Sequence, residues 1–119
     1  MIAFVCGSPV QVMRALHMKM RYDICSDDAD IYILHKCAGY EKLAVKIEKL
    51  NIFKSVYATN VSELGKRIVL KLLIGNNKYA KLIRAKKYIK LFTFNIEDEL
   101  AQAIFCINKN INGFEHHCV

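Results

Sequence analysis

The order in which two hydrophobic periods alternate along this chain limits its fold more than any other sequence feature. Ile2–Cys6 (IAFVC) is a continuous apolar run that stops at Gly7, the pattern of a strand buried on both faces. Ser8 and Pro9 then supply an N-cap and a first-turn proline. Val12, Leu16 and Met20 follow at i, i+4 and i+8, with Met13 widening the stripe, so a helix is predicted from Pro9 to near Tyr22. Ala29–Leu34 is a second strand, closed by Cys37, Ala38 and Gly39, and Tyr40–Leu50 a second helix with Leu43, Ile47 and Leu50 inward. Phe53–Ala58 is a short third strand. Asn60 and Glu63 have the spacing of a capping box for a third helix carrying Val61, Leu64, Ile68 and Leu72. Gly75, Asn76 and Asn77 break it, and Lys78–Lys87 resumes helical period with Tyr79, Leu82 and Ile83 on one side. Tyr88–Phe94 alternates as a strand, Asn95 caps a helix that runs to about Asn108, and Asn110–Phe114 is a fifth strand candidate. Strand and helix repeated in this way, with crossovers of more than about ten residues, point to a mostly parallel sheet. The predicted fold is therefore α/β: an open, mostly parallel Rossmann-like sheet of about five strands with helices on both faces.

With 119 residues and a mass of 13.7 kDa the chain makes one domain. Hydrophobic residues at 54% and charged ones at 24% exclude disorder. No apolar run reaches the roughly 20 residues of a spanning helix, and the opening segment lacks the basic lead-in of a signal peptide. A cytoplasmic location is expected. The five cysteines (Cys6, Cys25, Cys37, Cys106, Cys118) are odd in number and contain no Cys-x-x-Cys pair, so a disulfide framework is not expected. Cys6 and Cys106 lie in apolar runs and read as small core residues.

Charge is concentrated rather than spread. The net charge is +7, yet the segment from Leu64 to Ile96 holds nine basic residues and no acid, leaving nine bases against eleven acids elsewhere. Lys66, Arg67, Lys71, Lys78, Lys81, Arg84 and Lys87 in that segment are candidates for an anionic partner or an anionic membrane surface. Nucleic acid fits less well, because Tyr79 and Tyr88 are too few for a stacking platform. The ordinary alternative is a solvated outer helix face.

The first strand-to-helix turn places backbone N–H groups of Gly7 and the Ser8 hydroxyl at the carboxyl edge of the sheet, where open α/β folds bind ligands. The chain has no G-x-G-x-x-G and no G-x-x-x-x-G-K-[ST], so the usual dinucleotide and P-loop fingerprints are missing. Asp27, Asp28 and Asp30 fall at the opposite edge and read as a solvated loop, not as a phosphoacceptor cluster. His116, His117 and Cys118 lack a second ligand group, and no metal or other cofactor is expected.

A short apolar strand followed by Ser8, Pro9 and Gln11 at the start of a helix resembles the opening of bacterial sialyltransferases and polysialyltransferases of capsule and lipooligosaccharide synthesis. A second similarity lies at Phe114 and Glu115, where that family carries two acids and a glycine; here His116 and His117 stand in the last two places. The resemblance implies the amino-terminal half (here residues 1–119) of a two-domain enzyme that transfers sialic acid from its cytidine nucleotide (a CMP-sugar donor) to a glycan acceptor. It implies ligand-binding roles for Gly7, Ser8 and Gln11 and makes Glu115 the candidate general base. The family's second domain and its His-Pro motif are not in this sequence, so the fragment is expected to be inactive alone. The basic segment would hold it peripherally at the inner membrane, and an uncovered face would favour a homodimer. The competing expectation is a small stand-alone α/β domain that binds an anionic ligand or membrane surface.

Overall fold

The computed structural model describes residues 1–95, 97–108 and 113–116, the last four through their backbone alone. Its first strand, β1 (Ile2–Cys6), lies at the centre of a parallel sheet, with β2 (Ala29–Leu34) on one side and β4 (Lys90–Thr93) on the other. The register sets Phe4 beside Ile31 and Phe92. β3 (Ser55–Thr59) pairs with the outer side of β2, and the backbone of β5 (Gly113–His116) pairs with β4, giving the order β3-β2-β1-β4-β5. The chain thus winds outward from β1 to β3 and then returns to the far side of β1, a doubly wound Rossmann-like topology.

Alternation along the strands sorts the core into two layers. Phe4, Cys6, Ile31, Ile33 and Phe92 face α1 (Pro9–Arg21) and α2 (Tyr40–Lys49), meeting Val12, Ala15 and Met18 of the first and Ala44 and Ile47 of the second. The Phe4 and Phe92 rings stack 4.8 Å apart across the two central strands. Ala3, Val5, Tyr32, Leu34 and Leu91 face the opposite layer of α3 (Ile68–Ile74), α4 (Lys78–Arg84) and α5 (Glu99–Ile107). Each fully buried aromatic or aliphatic side chain in these layers contributes roughly 1.5–3 kcal/mol. Among the described residues no helix is long and apolar enough to cross a membrane.

Several sequence expectations are corrected. The third helix does not begin at Asn60: Val61–Leu64 forms only a 3-10 turn, ended by Gly65 at φ +75°, and α3 starts after Arg67, itself left-handed at φ +57°. The capping box fails because the Asn60 side chain accepts from the Ser62 hydroxyl, while Glu63 accepts from the Tyr79 hydroxyl at 3.2 Å. The last helix is capped by Asp98 rather than Asn95, with its Oδ1 accepting from the Ala101 N–H at 3.0 Å. Leu50 is exposed, not inward, because Ala44 and Ile47 form the buried stripe of α2. Cys106 is exposed, since α5 turns Leu100, Ala101, Ala103 and Ile104 to the sheet instead.

Asp30 is the largest correction to the loop reading of the aspartates. Asp27 and Asp28 are exposed, but Asp30 is fully buried. Its Oδ2 accepts from the Tyr88 hydroxyl at 2.7 Å and lies 3.6 Å from Lys86 Nζ, and the Tyr88 and Tyr32 hydroxyls are 2.6 Å apart. Lys86 also lies over the Tyr57 ring. This polar knot ties the segment before β4 to β2. β4 starts at Lys90 rather than Tyr88 because its parallel partner β1 begins at Ile2, which pairs with Lys90.

Candidate functional site

The reversal of winding direction around β1 leaves a cleft at the carboxyl ends of β1, β2 and β4, the place where doubly wound sheets bind ligands. It encloses about 210 Å³ over a floor of Val5 and Leu34. Gly7 and Gln11 come from the β1–α1 turn, Lys36 from the end of β2, and Thr93, Asn95 and Asp98 from the β4–α5 connection. This volume is below the roughly 300–1,000 Å³ of drug-sized pockets. It has room for one ring-sized portion of a ligand and not for a dinucleotide.

The β1–α1 turn is built locally. Ser8 is extended and its Oγ accepts from the Gln11 N–H at 3.2 Å, while Pro9 opens the helix. The Gln11 side chain folds back, and its Oε1 accepts from the Gly7 N–H. The Gly7 N–H, expected free for a ligand, is therefore already partnered. The Gln11 amide group keeps its two N–H donors. A Cβ at Gly7 would lie 3.5 Å from Gln11 Oε1, an ordinary contact, so glycine is not sterically required there.

Opposite this turn, Lys36 Nζ lies 3.9 Å from both Asp98 Oδ2 and Glu99 Oε2. The Asp98 side chain is only 5% exposed while that of Lys36 is 46% exposed. Burial pushes the Asp98 carboxyl above the ordinary aspartate value, against the opposing pull of the Ala101 N–H and the Lys36 ammonium. Asn95 Oδ1 accepts from the Glu97 N–H at 3.0 Å, which leaves its amide nitrogen as a donor, and the Thr93 hydroxyl donates to the Asn95 carbonyl. The wall thus offers an ammonium and two side-chain amide groups as donors, with one buried carboxyl as acceptor. That set suits a ligand with both a carboxylate and hydroxyl groups. Among the described residues no group of acids, histidines and cysteines could hold a metal.

Of the three turn residues singled out in the sequence, Gly7 and Gln11 line the cleft, while Ser8 caps α1 beside it. Lys36, Asn95 and Asp98 are site residues that sequence reasoning missed. Their only sequence signal is position, each a few residues past the end of a strand, and it gains meaning once β1 and β4 are known to be neighbours. Glu115 pairs by register with Phe92, and its side chain lies outside the described residues, as do His117 and Cys118. The basic residues do not join the cleft. Lys66 and Arg67 precede α3, Lys71 donates to the Leu64 carbonyl, Lys78 pairs with Glu63 at 3.7 Å, and Arg84 bonds the Ala80 and Gly75 carbonyls. Lys81 and Lys87 are exposed. No protein-family model, curated protein or solved structure matches this chain.

Proposed function

We propose that this chain is a glycan-binding, Rossmann-like domain of the kind that forms the amino-terminal half of a sialyltransferase-like glycosyltransferase, and that its cleft holds a sugar acid. The observation that carries the reading is the Ser8-Pro9-x-Gln11 turn at the switch point, its Gln11 amide lining a cleft shared with Lys36, Asn95 and Asp98. Lys36 and the two amides suit a sugar carboxylate, and Asp98 suits a hydroxyl. In this reading the family resemblance assigns Glu115 the proton of the acceptor hydroxyl. Its support is the register that sets Glu115 beside Phe92, one residue before the cleft-lining Thr93. The CMP-sugar would be held mainly by a second domain.

Saturation-transfer NMR with free sialic acid, a sialylated oligosaccharide and CMP as probes tests this reading. Signals from the sugar acids and none from CMP are expected, with binding about tenfold or more weaker in Gln11→Ala and Lys36→Met. No sugar signal in the wild-type protein would overturn the reading. CMP bound in place of the sugars would favour a stand-alone domain for an anionic ligand, for which the exposed Lys36 ammonium beside the first turn of α1 is the supporting observation.

A further inference from the structure

The layer formed by α3, α4 and α5 carries exposed aliphatic and basic side chains on its outer surface. On α3, Leu72 is fully buried against the sheet, and Leu70 and Ile74, one turn apart, point the opposite way at 46% and 73% exposure. Lys71 lies on the same outer side. Lys66 and Arg67 stand exposed just before the helix, and Lys81 is on the outer face of α4 while Tyr79, Ala80 and Ile83 face inward. The two helices are fastened together, because the Arg84 guanidinium donates to the Gly75 carbonyl at the end of α3 and Asn77 Nδ2 donates to the Lys71 carbonyl at 3.1 Å. Lys66, Arg67, Lys81 and Lys87 make no ion pair among the described residues.

We infer that this face docks on an anionic lipid bilayer, with Leu70 and Ile74 entering the acyl boundary and Lys66, Arg67, Lys71 and Lys81 meeting the headgroups. Charge selects a polyanion, since the segment from Leu64 to Ile96 carries nine bases and no acid. The exposed side chains between those charges select a bilayer over a nucleic acid. They are aliphatic, whereas the aromatic rings of the segment, Tyr79, Tyr88, Phe92 and Phe94, are buried. The surface is separate from the switch-point cleft, so it stands or falls independently of the sugar-acid reading.

The chain contains no tryptophan, so Ile74→Trp gives a single fluorescent reporter at the exposed end of α3. Its emission should shift to the blue on phosphatidylcholine vesicles containing phosphatidylglycerol and stay unchanged on phosphatidylcholine alone. Sedimentation of the wild-type protein with the anionic vesicles should fall about fivefold for each of Lys66, Arg67 and Lys81 changed to Gln. It should also fall steeply from ~0.1 M to ~1 M salt, as the screening length shortens from about 10 to about 3 Å. Leu70→Gln with Ile74→Gln should release vesicles while leaving heparin binding intact. These positions are exposed, and an unchanged circular dichroism spectrum confirms that each variant is folded. No sedimentation with anionic vesicles, or sedimentation without a blue shift, would overturn the inference. So would vesicle binding that survives the Leu70 and Ile74 changes, which would leave a plain polyanion surface.

Discussion

Among single residues, burial decides roles that residue type leaves open. Asp98 and Asp30 are both aspartates next to helical or strand ends, and neither is solvated. Asp98 holds two duties: its Oδ1 caps α5 and its other oxygen faces Lys36 across the cleft. Its raised pKa has a definite sign in stability. The folded state holds the proton more tightly than the unfolded state, so the contribution of this group is most favourable below the ordinary aspartate value near 3.8 and is lost as pH rises through the raised folded value. Asp98→Asn keeps a good cap and removes the buried charge, so the difference in urea stability between it and the wild type should change across that pH window and level off above it. Asp98→Ala loses the cap as well and should cost about 1 kcal/mol at neutral pH. Parallel pH profiles for the wild type and Asp98→Asn would show that the carboxyl is not penalised by burial. Ser8, Pro9 and Gln11 are legible as a helix start because capping is a local interaction. The fold-back of Gln11 onto Gly7 is not, because it depends on a side-chain rotamer.

Among the elements, strands and long helices follow their periods, and the departures gather where chain turns compete with periodicity. The apolar spacing from Val61 to Leu72 is helical throughout, yet Gly65 at φ +75° and Arg67 at φ +57° interrupt it. The reason is tertiary. Glu63 is drawn to Tyr79 and Lys78, so it is not available to close a capping box. The other end of α3 is fixed by Gly75, where a Cβ would collide with the Lys71 carbonyl oxygen. Gly75→Ala should therefore lower stability by about 1–3 kcal/mol by urea denaturation, as an overpacked contact with backbone that cannot move aside. A neutral result would mean that the α3–α4 corner relaxes freely. The inward assignment of Leu50 and Cys106 fails for a simpler reason: a helix has one buried stripe, and apolar residues beyond it are left on the surface.

For the whole molecule, topology ranks the strands. β1 is hydrogen-bonded on both sides and β2 is buried along its length, while β3 is an edge strand with most of its residues only partly covered. Amide hydrogen exchange should accordingly be slowest in β1 and β2 and faster in β3, with the β2–β3 ladder opening before the β1–β2 ladder. Equal protection of β3 and β1 would point to a partner on that edge. The same topology creates the cleft. The return of the chain from β3 to the far side of β1 brings Thr93, Asn95 and Asp98 opposite Gly7 and Gln11, across a sequence separation of more than eighty residues.

Period, caps, turn residues and crossover length are local quantities, and they suffice for the α/β class, the parallel pairing, the positions of β1, α1, β2 and α2, and the concentration of positive charge. Strand order is not among them, nor is the burial of Asp30 among Tyr32, Tyr88 and Lys86, nor the presence of Lys36 and Asp98 in the cleft. The same holds for which aliphatic residues of the basic segment face outward. Each of these depends on which distant segments meet, and that is fixed by the packing of both layers against one sheet rather than by any run of neighbouring residues.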